Sequence, residues 1–188
     1  MKRHFVILFT LLLSFNLHAI TISNVEIAKI VSHSDQSTKL ILNGAGVRTK
    51  FFFDIYIGSL YLEKKVNTTK DVVNLHGEKR ISMHFLYKEI GKEKLISGWM
   101  EGFEKNLSAT ELKKFETQIK QFNALFTTVK KNDVINLNFI PTTGTSIVIN
   151  NKNKGIIEGD DFFSAILKIW LGDAPVDDDL KKAMLGLN

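Results

Sequence analysis

Gly44-Ala45-Gly46-Val47-Arg48, followed two residues later by Phe51-Phe52-Phe53-Asp54-Ile55-Tyr56-Ile57-Gly58-Ser59-Leu60-Tyr61-Leu62, is the most informative stretch of the chain. The second part reads as a long β-run whose bulky residues are interrupted only by Gly58 and Ser59. The glycines of the first part read as a loop that ends a short strand, Lys39 to Leu42. Arg48, between Val47 and a wall of phenylalanines, is poorly placed to be an idle surface charge. Its guanidinium is permanently charged and offers a planar fork of donors that suits a carboxylate or a polarised oxygen. Tyr56 lies an even number of positions on, so an uninterrupted strand would put both side chains on one face, where they could grip an anionic head. Asp54 is also in even register, so a structural Arg48–Asp54 ion pair is the competing reading.

Upstream, Thr21 to Val31 reads as one strand and Ser32 to Ser37 as a polar turn. Downstream, Val72 to Leu75 and Arg80 to Leu86 read as two more strands. The period then becomes helical. Lys92 to Leu107 places Leu95, Trp99, Phe103 and Asn106 along one side, and Ser108 with Glu111 forms a capping-box signature. Behind that cap Leu112, Phe115, Ile119 and Phe122 make an amphipathic stripe. Strand patterning returns at Val134 to Ile140 and Thr145 to Asn150, and Asn151 to Gly155 is a hairpin connection to Ile156-Ile157. Asp160 or Asp161 caps a helix through Phe162, Ile166 and Trp170 that ends at Gly172; Asp177 caps a last one ending at Gly186. The acids Asp177-Asp178-Asp179 suit the positive end of that helix, with a calcium site as the sharper alternative. The order predicts an α+β fold, one large antiparallel sheet covered on one face by helices.

The chain of 188 residues, 44% hydrophobic and 24% charged, suits a single globular domain. Lys2, Arg3 and His4, the apolar run from Phe5 to Leu13 and a cut after Ala19 have the layout of a secretory signal peptide. This predicts a leader over 1–19, a domain over 20–188, and a periplasmic protein that needs no disulfides, since cysteine is absent. The absence of cysteine also removes thiol nucleophiles, zinc fingers and iron–sulfur clusters. His33, His76 and His84 share no metal spacing, and no phosphate loop, dinucleotide fingerprint or Gly-x-Ser-x-Gly elbow occurs. No metal and no cofactor are therefore predicted. Lys64-Lys65, Lys113-Lys114 and Lys130-Lys131 are scattered and not interleaved with aromatics, which predicts a solvated surface and no nucleic-acid partner.

Four segments in order, Leu42 to Arg48, Ile57 to Glu63, Gly98 to Asn106 and Trp170 to Asp177, resemble the chalcone isomerase family, most closely its bacterial exported branch. The resemblance spans residues 21–186 and implies an open-faced β-sandwich with a ligand cleft between sheet and helices. Plant enzymes of the family cyclise a chalcone with a strand Arg, a Thr further along, a Tyr, Lys and Asn on a helix, and a later Ser or Thr. Arg48 and Asn106 match the first and the helix Asn, whereas Tyr56, Trp99, Gly102 and Ile169 stand at the other positions. Losing one oxyanion donor costs about 3–4 kcal/mol, so several losses argue against chalcone cyclisation.

Other members bind fatty acids, with the Arg and a nearby Tyr on the carboxylate, a pair that Arg48 and Tyr56 resemble. The expectation is a noncatalytic binder of a fatty-acid-like or small amphipathic ligand, with Arg48 and Tyr56 at its polar end and Trp99, Phe103 and Asn106 from the helix. One alternative is an intramolecular lyase on a non-flavonoid enone, with Arg48, Tyr56 and Asn106 polarising its carbonyl. Another is an interaction protein whose cleft is filled by its own side chains, Phe51 to Phe53 among them.

Overall fold

The computed structural model describes residues 19–32 and 38–187. The predicted leader up to residue 18, His33 and most of the polar turn lie outside them. The strands are β1 (Ala19–Ile22), β2 (Val25–Ala28), β3 (Ile30–Ser32), β4 (Lys39–Lys50), β5 (Phe53–Leu62), β6 (Lys79–Phe85), β7 (Glu89–Ile90), β8 (Val129–Lys130), β9 (Val134–Ile140), β10 (Gly144–Ile149) and β11 (Lys152–Glu158). The helices are α1 (Thr69–Asn74), α2 (Lys92–Asn106), α3 (Ala109–Lys114), α4 (Glu116–Ala124), α5 (Asp161–Leu171) and α6 (Asp178–Met184). Among these, none is long and apolar enough to cross a membrane.

Seven antiparallel strands form the main sheet in the order β11-β10-β9-β6-β5-β4-β3. Side chains alternate across it. Leu60, Leu62, Ile81, Met83, Leu137 and Ile147 enter one core with the buried faces of α2, α4 and α5. The opposite side carries a smaller core, in which Ile57, Tyr61, Leu40 and Leu42 meet Ile27 and the β1–β2 hairpin. The α+β architecture with a helical layer is the one predicted, with this hairpin as an added cover on the far face.

Three local readings are corrected. Thr21 to Val31 is not one strand: Ser23 and Asn24 take positive φ (47° and 62°) and reverse the chain in two residues. Val72 to Leu75 is not a strand either. The Thr68 hydroxyl accepts from Asp71 N–H and starts α1, which buries Val72. The glycine stretch 43–46 is not a loop but the interior of β4. A Cβ at Gly44 would collide with the Ala183 carbonyl, and one at Gly46 with the Ala183 side chain. Across the ladder, a Cβ at Gly58 would stand 3.1 Å from Leu180. Glycine is there because α6 presses its backbone onto the sheet.

The predicted Ser108–Glu111 capping box forms as read, but its helix breaks at Phe115 into α3 and α4, and Phe115 packs on Phe162. Asp177 caps α6: Oδ1 accepts from Leu180 N–H and Oδ2 from Thr49 N–H, so both oxygens are engaged in tying the helix start to β4.

Candidate functional site

Arg48 and Tyr56 face the same way, for a different reason from the one the spacing suggests. They do not sit on one strand. The chain reverses at Phe51-Phe52, Lys50 pairs with Phe53, and Arg48 stands directly opposite Tyr56 in the β4–β5 ladder. Directly paired residues share a face of the sheet. The Arg48 guanidinium carbon lies 5.6 Å from the centre of the Tyr56 ring, within cation–π range. A register shift after Arg48 sets Asp54 opposite Thr49, whose hydroxyl bonds to it at 3.3 Å. The Arg48–Asp54 ion pair is therefore not formed, and Arg48 is in no ion pair among the described residues. Its Nε is buried without a hydrogen-bond partner.

Tyr56 is buried beneath α5, where its hydroxyl oxygen accepts from Trp170 Nε1–H at 2.8 Å. That bond uses the oxygen as an acceptor and leaves the phenolic proton free to be donated. Burial pushes the Tyr56 phenol above its ordinary value, opposed more weakly by Arg48 and by the Trp170 bond, so the proton stays on. Trp99, from α2, packs at 5.8 Å against Trp170 and also holds an Nε1–H that is buried and unpaired. Buried polar groups are normally paired.

Arg48, Tyr56 and Trp99, but not Trp170, line one cavity of about 510 Å³, between the turn end of the β4–β5 hairpin and the N-terminal half of α2. That volume is within the roughly 300–1,000 Å³ of small-molecule sites. Ile55, Phe85, Leu95 and Val176 supply apolar wall, and Lys50 and Lys94 are cations at its margin. Glu101 also lines it, but Lys105 holds that carboxylate at 2.7 Å and pulls its pKa below the ordinary value. The lining carries an excess of cations and hydrogen-bond donors beside greasy walls, an arrangement suited to an anion on an apolar tail.

The remaining predicted residues lie elsewhere. Phe103 is fully buried in the main core, stacked on Phe162 at 6.1 Å. The stripe that carries Trp99 to the cavity carries Phe103, one turn further along, beneath α5. Asn106 donates to the Gly102 and Ala174 carbonyls and accepts from Ala174 N–H, which pins the segment after α5 to α2. Neither lines the cavity. Gly102 and Ile169 meet each other where α2 crosses α5: a Cβ on the glycine would stand 2.8 Å from the isoleucine. Phe51 and Phe53 border the cavity without filling it, and both are exposed. Sequence reasoning missed Trp170 as the partner of Tyr56. Its only signal was a place on the apolar stripe of α5, which speaks of packing and not of a bond across the core.

The profile of a family described as chalcone isomerase-like matches residues 19–186. No curated protein matches by sequence. Among solved structures, a crystal structure of a fatty-acid binding protein from Arabidopsis thaliana is similar with a TM-score of 0.66 and 15% identity, covering 89% of this chain and 96% of that one. At that identity the likeness is one of fold: an antiparallel sheet carrying a layer of helices.

Proposed function

The chain belongs to the chalcone isomerase-like family, and on that premise we propose that it is a noncatalytic binder of fatty-acid-like carboxylic acids. The carboxylate sits between the Arg48 guanidinium and the Tyr56 hydroxyl, and the alkyl tail runs along Ile55, Phe85 and Leu95. The observation that carries this reading is the convergence of Arg48, which is in no ion pair among the described residues, and Tyr56, whose phenolic proton is free, on one cavity with apolar walls. The fatty-acid binding protein of similar fold supports the choice of ligand class. An isomerase reading is weaker, because the positions that would hold the extra donors are Gly102 and Ile169, which pack against each other away from the cavity. Export to the periplasm belongs to the proposal and rests on the composition of residues 1–19; N-terminal sequencing of the mature protein tests it.

The binding test is native mass spectrometry with dodecanoate and with its methyl ester, on the wild type and on Arg48→Ala. The acid binds one to one, the ester binds weakly, and Arg48→Ala lowers affinity for the acid about 10–100-fold, as loss of a charge-assisted hydrogen bond implies. Equal loading of the wild type and Arg48→Ala would remove the clamp. Turnover of chalcone by the wild type would return the protein to the enzymes.

A further inference from the structure

The turn that closes the β4–β5 hairpin is built against the interest of folding. Phe51, Phe52 and Phe53 are 83%, 97% and 57% exposed, three of the six large hydrophobic side chains that stand out in solvent among the described residues. Two other two-residue turns of the molecule use small polar pairs at positive φ, Ser23-Asn24 and Asn150-Asn151. Here the same task falls to Phe51, at φ 58°, with Phe52 beside it. A bulky residue in the left-handed region is disfavoured, and Asn or Gly would fit the turn better. Phe53 packs edge-on against Tyr87 at 5.6 Å, which braces the base of the turn and leaves the Phe52 ring outermost.

Two further observations say what covers this tip. Exposed Lys50 and Lys94 lie beside it, with Arg48 deeper in; of the acids there, Glu101 is paired with Lys105 and exposed Asp54 accepts from the Thr49 hydroxyl, which leaves the cations in excess. Phe rings buried at the headgroup–acyl boundary with lysines beside them on anionic headgroups are a pattern of interfacial anchoring. The mouth of the cavity is also at this tip, since Phe51, Phe53 and Lys50 are among its lining.

We propose that the Phe51-Phe52-Phe53 turn docks the protein on an anionic lipid surface, inserting its rings so that the cavity mouth faces the bilayer. The docking stands on the tip itself. Only the advantage of a mouth facing lipid rests on the fatty-acid reading.

The test is flotation with vesicles of phosphatidylethanolamine and phosphatidylglycerol (3:1), and with neutral phosphatidylcholine vesicles. Phe52→Ser and Phe52→Asp are the variants, because Phe52 does not line that cavity and is almost fully exposed. The wild type floats with the anionic vesicles and less with the neutral ones. Phe52→Ser loses about tenfold in partitioning, the scale of leaving one buried ring out of an apolar phase, and Phe52→Asp loses more. Both variants keep the wild-type unfolding midpoint and affinity for dodecanoate. A wild type that ignores anionic vesicles, or variants that float as well as it does, would overturn the docking. So would a wild type that sediments as a dimer, ignores vesicles and becomes monomeric as Phe52→Asp, since the tip would then be a contact between copies. Vesicle binding without any dodecanoate binding would instead remove the ligand reading and leave the docking standing.

Discussion

The two ends of the β4–β5 hairpin belong to one continuous ladder, and they do opposite things. At the end nearer Gly44, Gly46 and Gly58, α6 lies so close to the sheet that no side chain fits beneath it. At the turn end, Arg48 and Tyr56 stand opposite each other, and the layer above them opens into the cavity. The strands pair alike at both ends. The size and charge of the facing residues differ, since a helix can rest on hydrogen atoms but not on a guanidinium that has to stay near water. A stretch of small residues beside a stretch of large polar ones thus turns a flat sheet into a packed half and a binding half.

The packed end is the easier to break. Gly44→Val drives methyl groups into the Ala183 and Met184 carbonyls, backbone atoms that cannot step aside. It is expected to cost about 3 kcal/mol in urea unfolding, the upper part of the range for overpacking; a cost below about 0.5 kcal/mol would mean that α6 rests loosely. Tyr56→Phe comes next. It deprives Trp170 Nε1 of its acceptor inside the core and should cost about 1–3 kcal/mol. It also weakens dodecanoate binding by removing the phenolic donor. An unchanged affinity would confine Tyr56 to the packed half.

Gly98 gives the sharpest contrast with Gly44. It lines the cavity from α2, and a Cβ there would meet nothing within 4 Å. Gly98→Ala should therefore stabilise the protein by about 0.5–1 kcal/mol, the helix-propensity gain, while Gly98→Leu should compete with the ligand for space. Destabilisation by Gly98→Ala would show the cavity to be closed. The smallest expected effect is a flat response to alkali. Tyr56, pushed above its ordinary value by burial, keeps its proton. Dodecanoate binding is then level from about pH 7 to about pH 10 and falls on the acid side, where the ligand's own carboxyl takes up a proton. A midpoint near pH 8 in a binding titration would point to a different group.

Much of this was legible in the chain. The capping box at Ser108 and Glu111, the strand at Arg80 to Leu86 and the helix ended by Gly172 follow from local rules, because each is decided by residues within a turn or a ladder step. The glycines of β4 were misread because their cause, α6, lies more than a hundred residues away. Arg48 and Tyr56 were paired correctly through the wrong geometry: an even count along one strand and a direct pairing across a hairpin put side chains on the same face. Phe103 and Asn106 were misplaced because a helical stripe shows which face is inward and not where along it the packing gives way to a cavity.

Local preference and periodicity, written in the order of the residues, determined the elements, the layered α+β plan and the candidacy of an arginine beside aromatic surface. Only the folded arrangement decided that Asp54 would be drawn to Thr49, that Trp170 would take the Tyr56 oxygen as its acceptor, and that donors of Arg48 and Trp99 would be left without partners. Those outcomes depend on which groups the fold brings within reach of each other, and hydrogen bonds and close packing act over a few ångströms in space whatever the separation along the chain.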